Sequence, residues 1–159
     1  MTVLMGDEAR TRLQAKIHRS IPLSEKMGYR IAELGDNHIT VAAPLAPNIN
    51  IHGTGFAGSL YSLGVLAAWG LCAHLLARAG IDDADLVVAQ ANIRYRTPVR
   101  GEILCRCEIA DTAARVFIEG LRKKGRSRIA VDVAVGEEPA ARLEATMYAS
   151  LGMRRDQAM

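Results

Sequence analysis

The sequence predicts an α+β fold in which one long antiparallel sheet wraps around a single central apolar helix. Residues 56–77 contain no Asp, Glu, Lys or Arg, which favours a long helix that the rest of the protein buries. From residue 86 onward, short runs of alternating apolar and polar residues are separated by turn residues. Because one helix cannot cover both faces of a sheet of about six or seven strands, we expect the sheet to curl around it.

The elements of the first half follow in a simple order. A short helix is predicted over residues 7–18, where apolar residues recur every fourth position. Two strands, 28–34 and 38–44, flank a Gly-Asp-Asn turn. The long helix then starts at about Gly58 and ends near Gly80, a natural C-terminal glycine.

The second half is predicted to contain only strands. They cover residues 86–97, 103–109, 116–122, 129–135 and 143–151. The turns between them, including one at 111–114, favour an antiparallel meander over crossover helices. Within the first of these strands, one face is apolar (Val87, Ala89, Ala91, Ile93 and Tyr95) and the other is mostly hydrogen-bonding (Val88, Gln90, Asn92, Arg94 and Arg96).

Composition and charge narrow the class of function. With 159 residues the chain suits one domain. A net charge of +3 and an aromatic content of 4% argue against base stacking, so no nucleic-acid partner is expected. Three cysteines form no even framework and no metal-ligand pattern, which predicts a reducing, cytoplasmic environment and no metal. Early charged residues predict no secretory signal, and the Ser, Gly and His within 56–77 argue against a membrane span.

The candidate site is the stretch 48–63, which reads NINIHGTGFAGSLYSL. Its glycines let the backbone approach a ligand closely, and the helix that follows directs N–H groups and its positive dipole end at the same place. Such a place suits a developing oxyanion. No Asp or Glu lies between Asp36 and Asp82, so an acid or base from this segment must be His52 or an activated water.

Two motifs carry a family resemblance. HGTGFAGSLYSL, residues 52–63, resembles the glycine-rich start of the central helix in the hotdog fold, especially in the thioesterases similar to the C-terminal domain of YiiD. IRYRTPVRGE, residues 93–102, is similar to a strand-Pro-x-x-Gly turn of the same proteins. The resemblance implies one hotdog domain over residues 1–159, with its core at about 27–151. It also implies an acyl thioester hydrolase that needs no cofactor, acts on coenzyme A or acyl-carrier-protein esters, and forms a homodimer or a dimer of dimers.

Compared with the family's catalytic pattern, this chain lacks the usual catalytic groups and leaves others in the loop. Many hotdog thioesterases carry His-Gly-Gly before the helix and a carboxylate on its second turn. Aligned on the start of the helix, Phe56, Ala57 and Gly58 take the place of the His-Gly-Gly, and Val65 takes the place of the carboxylate. The usual acid is therefore absent. We expect Asn50 to hold a water, His52 to take its proton, and a loop N–H to polarise the carbonyl. The full set of expected catalytic residues is Asn50, His52, Gly53, Thr54, Gly58 and Ser59.

Each of these residues also has a structural interpretation. Asn50 can bond its own turn, Thr54 can cap the helix, and Ser59 can simply pack in the first turn. The expected substrate-binding residues are Phe56, Leu60, Leu63, Gln90, Asn92, Arg94, Arg96 and Arg100. Two other functions compete with hydrolysis: a non-catalytic acyl-ligand binder, and a hotdog hydratase or dehydratase, which the absence of a carboxylate disfavours.

Overall fold

The computed structural model describes residues 2–152, with side chains from residue 6 onward, and it confirms the predicted sheet around a central helix. Its elements are α1 (Thr2–Ser20), α2 (Pro22–Lys26), β1 (Arg30–Leu34), β2 (His38–Ala43), α3 (Ala57–Arg78), β3 (Ala84–Tyr95), β4 (Ile103–Glu108), α4 (Asp111–Lys124), β5 (Arg126–Val135) and β6 (Ala141–Leu151). The strands form one antiparallel sheet in the order β1-β2-β4-β5-β6-β3. A 3₁₀ turn, Ala46–Asn48, leads into the loop before α3.

Helix α3 is the centre of the hydrophobic core. Eleven of its 22 residues are buried, although by length and composition alone it could cross a membrane. Two glycines let the sheet approach the helix from different sides. A Cβ at Gly64 would lie 3.3 Å from Leu143 Cδ1, and a Cβ at Gly70 would lie 3.2 Å from Ile39 Cδ1. Larger residues at these positions would push the strands outward.

The strand predicted over residues 116–122 is wrong, because this segment belongs to α4. Ala114, Phe117 and Leu121 are its buried residues, and they recur every three or four positions, whereas Val116 is 70% exposed. Gly125 ends the helix in the left-handed conformation with φ 71°. The turn predicted at 111–114 is therefore the first turn of α4, and the sheet has six strands.

Strand β3 forms an edge of the sheet and contains an extra residue. It pairs with β6 and not with β4, so the predicted continuous meander is wrong at this point. The register shifts between Val88 and Gln90, and this bulge exchanges the two faces of the strand. The predicted apolar face is consequently wrong before the bulge: Val88 lies opposite the buried Met147, and Val87 is 43% exposed.

All three cysteines are buried free thiols. Burial raises the pKa of Cys105 to about 12, and the same cause raises the pKa of Cys107 to about 12. A thiol that stays protonated is a poor nucleophile, so these residues act as small apolar core residues.

Candidate active site

The loop before α3 is a tight turn that backbone hydrogen bonds close. Gly53 N–H donates to the Asn50 carbonyl at 3.1 Å, and Asn50 N–H donates to the Thr54 carbonyl at 2.8 Å. Gly53 has φ 74°, a conformation that favours glycine. Gly55 N–H donates to the Val99 carbonyl at 2.8 Å, which attaches the loop to the segment that follows β3.

The Asn50 side chain is committed to this turn. Its Oδ1 accepts the backbone N–H groups of His52 at 2.9 Å and Thr54 at 3.1 Å. Its Nδ2 donates to Thr54 Oγ1 at 2.9 Å and to the Gly55 carbonyl at 3.4 Å. An amide side chain has two acceptor sites and two N–H donors, so these contacts use its whole capacity. They favour the turn-closing interpretation of Asn50 over the water-holding one.

His52 lies at the tip of the turn with its side chain exposed. Among residues 6–152, no hydrogen-bond or ion-pair partner is recorded for its ring. The neighbouring Ile51 is 95% exposed. The ring is therefore free to meet a substrate, but no third group orients it.

The N-terminus of α3 is open. Phe56 holds the N-cap position with φ −67° and ψ 130°, and no side chain of the described loop caps the helix. The Thr54 hydroxyl bonds Asn50 instead, which excludes its capping role in this structure. The first intrahelical bond runs from Leu60 N–H to the Phe56 carbonyl at 3.0 Å. The N–H groups before it, at residues 57–59, point out of the helix end, and the first turn has no acidic residue.

Gly58 and Ser59 shape this helix end. A Cβ at Gly58 would lie 2.6 Å from Phe56 Cε1, so the glycine leaves room for a ring that is itself 52% exposed. Ser59 is half-buried within the first turn. The fold thus brings together all six expected catalytic residues around one turn and one helix end.

Two tyrosines that the sequence did not indicate lie at the same end of α3. Tyr95 Oη donates to the Ala57 carbonyl at 2.8 Å, and this bond fixes the last residue of β3 over the first residue of the helix. Burial, and then the nearby Tyr61, raise the pKa of Tyr95, so its hydroxyl stays a donor at neutral pH. In the sequence, only the alternation of apolar and polar residues along β3 drew attention to Tyr95. That alternation did not show which end of α3 the strand would reach.

The apolar residues predicted to bind the acyl chain do not lie together on one exposed surface. Leu60 and Leu63 are packed in the core, with 3% and 0% of their surface exposed. A different set on α3 is only half-buried, at every fourth position: Tyr61, Val65, Trp69 and Ala73. Trp69 Nε1 donates to the Leu86 carbonyl at 2.9 Å, which fixes this stripe against the start of β3.

The predicted polar and basic residues are also divided. Gln90, Asn92 and Arg94 are exposed and lie opposite outward positions of β6, on the sheet face away from α3. Arg96 borders a depression of about 270 Å³, and Arg100 borders another of about 390 Å³. Arg96 and Arg100 lie in the segment after β3, which is attached to the loop by the hydrogen bond from Gly55 N–H to the Val99 carbonyl. Arg94 lies before this segment, within β3.

The family model described as "Putative thioesterase (yiiD_Cterm)" matches residues 10–149 of this chain. The chain belongs to the YiiD_C family. A solved "putative thioesterase" from Shewanella oneidensis is similar to it, with 32% identity and a TM-score of 0.82 over 92% of this chain and 99% of that chain.

Two further structures show how well the YiiD_C fold is matched. A protein of unknown function from Chlorobaculum tepidum has 26% identity and a TM-score of 0.86, covering 92% of this chain and 97% of that chain. A "probable thioesterase" from Pseudomonas aeruginosa has 20% identity and a TM-score of 0.76, covering 88% and 94%. At 20% identity the likeness shows the fold alone. These matches confirm the hotdog arrangement and a thioesterase-like protein.

The residues that the structure describes were compared with the requirements of a metal site. Among residues 2–152, no group of three or more His, Cys, Asp or Glu side chains is placed to hold an ion. His74, the histidine on α3, lies toward the other end of the helix, and burial lowers its pKa. It is therefore remote from the loop, and His52 is the only imidazole of the segment 48–63.

Proposed function

We propose that this protein hydrolyses acyl thioesters of coenzyme A or acyl-carrier protein in the cytoplasm. The observation that carries the proposal is the open N-terminus of α3, with its N–H groups at residues 57–59, directly after the loop that carries the exposed His52. A thioester carbonyl placed there gains a preorganised donor set as its oxygen becomes negative. Removing one such donor in a comparable site costs about 10²–10³ in rate.

In this proposal a water attacks the carbonyl carbon and His52 takes the water proton. The carbon–sulfur bond then breaks, the departing sulfur takes the proton that His52 holds, and the products are the carboxylic acid and the free thiol. Asn50 acts by holding the turn, because its hydrogen bonds are already made within the loop. It thereby positions His52, whose backbone N–H it accepts.

We infer that the working unit is a homodimer joined edge to edge through β3. One side of β3 has no neighbouring strand in the described sheet, and such an edge is open to pairing with a second copy. The stripe Tyr61, Val65, Trp69 and Ala73 is apolar and incompletely covered on the same side. A homodimer covers both. A monodisperse monomer at micromolar concentration in light scattering would contradict this arrangement.

Such a dimer supplies an acyl site. β3 spans Ala84–Tyr95, so antiparallel pairing about its centre sets Tyr95 of one copy beside Ala84 of the other. The open end of α3 in one copy then lies near a cleft of about 450 Å³ in the other. The cleft has apolar residues in its lining, including Ile17, Trp69 and Leu86, which suit an acyl chain, and charged residues, Lys16, Asp82 and Asp85, as well.

Carrier phosphates are assigned to Arg96 and Arg100. Both are exposed and flank Val99, whose carbonyl accepts the Gly55 N–H. Guanidinium groups suit phosphate oxygens because they can form two parallel hydrogen bonds. Arg94 borders the same depression as Arg96, but it lies within β3, before the segment 96–100 that Val99 attaches to the loop, and it is left out of this assignment for that reason.

The test is hydrolysis of a series of acyl-coenzyme A esters of increasing chain length, followed by detection of the released thiol. We expect turnover by the parent and a loss of about 10²-fold or more in His52→Ala, as for a general base. His38→Ala is the matched control, since His38 is exposed and pairs with Glu33 at 3.1 Å away from the loop. Equal rates in His52→Ala and the parent would refute the role of His52.

A second candidate is a non-catalytic acyl-ligand binder. The observation that favours it is that the His52 ring has no recorded orienting partner in the described part of the chain. Tight binding of acyl-coenzyme A in calorimetry, without thiol release for any chain length, would support the binder and exclude the hydrolase.

A further inference from the structure

We propose that the hydroxyl group of Tyr61 donates a hydrogen bond to the carbonyl oxygen of the acyl thioester at the open end of α3. The inference rests on the proposed function, because it concerns the same site, and it adds a side-chain donor to the N–H groups of the helix. The segment between Asp36 and Asp82 contains no carboxylate, so the chemistry at this helix end depends on neutral donors.

Tyr61 shares one face of α3 with the residues of the open helix end. It follows Gly58 by three residues and Ala57 by four, and both spacings set residues on the same side of a helix. Because Cα–Cβ bonds in a helix tilt toward its N-terminus, the Tyr61 ring covers the preceding turn. That turn carries the N–H groups at residues 57–59, and Gly58 places no side chain over it. A carbonyl bound to those N–H groups therefore lies where the Tyr61 ring reaches.

The contact with β3 shows that two phenol groups meet at this turn. Tyr95 Oη donates to the Ala57 carbonyl at 2.8 Å. Burial, and then the nearby Tyr61, raise the pKa of Tyr95, as expected for two phenols that lie close together. The proton of Tyr95 is used in its bond to Ala57. Tyr95 therefore fixes the strand over the helix end, and Tyr61 is the phenol with a proton to offer.

The Tyr61 hydroxyl is available to a ligand. Its side chain is half-buried, and across residues 6–152 no hydrogen bond is recorded for its oxygen. That oxygen is also absent from the described polar atoms that are both fully buried and unpartnered, so it is accessible from outside. A phenol donates one hydrogen bond, and this one is unused within the described chain.

Other side-chain donors near this helix end are occupied or lie on another side. Trp69 Nε1 donates to the Leu86 carbonyl, and the Asn50 amide donates within its own turn. Ser59 lies two residues from Tyr61, and positions two apart on a helix do not share a face. Tyr61 is therefore the donor that adjoins both the open helix end and the apolar stripe.

The stripe brings the reacting carbonyl to Tyr61. Tyr61 is its first residue, and Val65, Trp69 and Ala73 follow at every fourth position. In the proposed edge dimer this end of the stripe adjoins the partner's cleft, so an acyl chain held in that cleft presents its carbonyl beside Tyr61.

The hydrogen bond helps the reaction because it strengthens as the carbonyl oxygen becomes negative during attack by water. Tyr61 keeps its proton throughout. When the carbon–sulfur bond breaks, the oxygen returns to a carbonyl, and the proton of the water still passes through His52 to the sulfur.

The first experiment compares Tyr61→Phe, which removes one oxygen and keeps the ring, with the parent. In thiol-release assays we expect kcat to fall about 10²-fold, as for the loss of one oxyanion donor, with KM nearly unchanged. Tyr148→Phe is the matched control and should keep the parent rate. Tyr148 is also half-buried, but it lies between the buried Met147 and Ala149 on the sheet face away from α3, with its ring 5.1 Å from the Arg128 guanidinium. Matching thermal melts establish that both variants are folded.

A second measurement does not depend on turnover. Replacing the sulfur of an acyl-coenzyme A by CH₂ gives a ketone that water cannot cleave, and its carbonyl stretching band in infrared spectra reports hydrogen bonds to the oxygen. We expect this band to shift to lower frequency on the parent and on Tyr148→Phe, and to shift less on Tyr61→Phe.

The two measurements separate this inference from the proposed function. Turnover by the parent with an unchanged kcat in Tyr61→Phe, or an equal band shift on Tyr61→Phe and the parent, would overturn the role of Tyr61 and leave hydrolysis standing. A parent that releases no thiol but shows a band shift that Tyr61→Phe loses would refute hydrolysis and support the carbonyl contact.

Discussion

Replacing Asn50 separates a structural loop residue from a catalytic one. Asn50 Oδ1 accepts two loop N–H groups, at 2.9 and 3.1 Å, and Nδ2 donates to Thr54 Oγ1 at 2.9 Å. A net hydrogen bond contributes about 0.5–1.5 kcal/mol, and water can reach part of this loop after truncation. We therefore expect Asn50→Ala to lower the free energy of unfolding by about 1–3 kcal/mol. For a domain of this size that corresponds to a fall in Tm of roughly 3–10 °C.

The rate should fall in the same variant, because the turn no longer holds His52 in place. Asn50→Asp is the matched control: it keeps the acceptor oxygen for both N–H groups, and the Thr54 hydroxyl can reverse its hydrogen bond and donate, so that only the long contact with the Gly55 carbonyl at 3.4 Å is lost. Its Tm should fall less than that of Asn50→Ala. Urea or thermal melts give the stability and thiol release gives the rate. If Asn50→Ala melts like the parent but loses activity, Asn50 contacts substrate or water directly and the structural interpretation is wrong.

Further predictions address the helix, the core and the carrier site. Burial lowers the pKa of His74 below its usual value of 6.5, so below that pH the unfolded chain binds more protons than the folded protein. The free energy of unfolding should therefore fall as the pH drops through about 6.5. His74→Gln should make the stability measured in thermal melts less dependent on pH. Leu63 is fully buried, so Leu63→Ala should cost about 2–5 kcal/mol in urea unfolding, whereas a channel-wall role would cost little stability. Gly58→Ala should displace the Phe56 ring, which a new Cβ would approach to 2.6 Å, and slow hydrolysis with little change in Tm; adding Phe56→Ala should relieve the crowding. Arg100→Ala should raise KM for coenzyme A esters about tenfold with kcat nearly unchanged, and an unaltered KM would remove Arg100 from the phosphate site.

The sequence by itself determined the central features of the fold. The uncharged run 56–77 predicted a long helix that the rest of the protein buries, and it is α3. The period-two pattern of β5 and β6 identified their buried faces, because alternate residues of a strand point to opposite sides. The loop with Asn50 and His52 was recognisable because glycines and hydrogen-bonding residues precede the apolar run.

The tertiary structure alone decided three things. The segment 111–124 is a helix because burial of Phe117 and Leu121 outweighs a short strand-like pattern. The bulge in β3 depends on its pairing with β6, a partner that lies far along the chain and that local periodicity cannot show. The role of Asn50 depends on which donors reach its side chain, and the same residue type serves a turn or a water equally well until those distances are fixed. The local sequence pattern indicates which secondary structure each segment prefers. Strand register and hydrogen-bond partners are decided only when segments that are distant in the sequence come into contact.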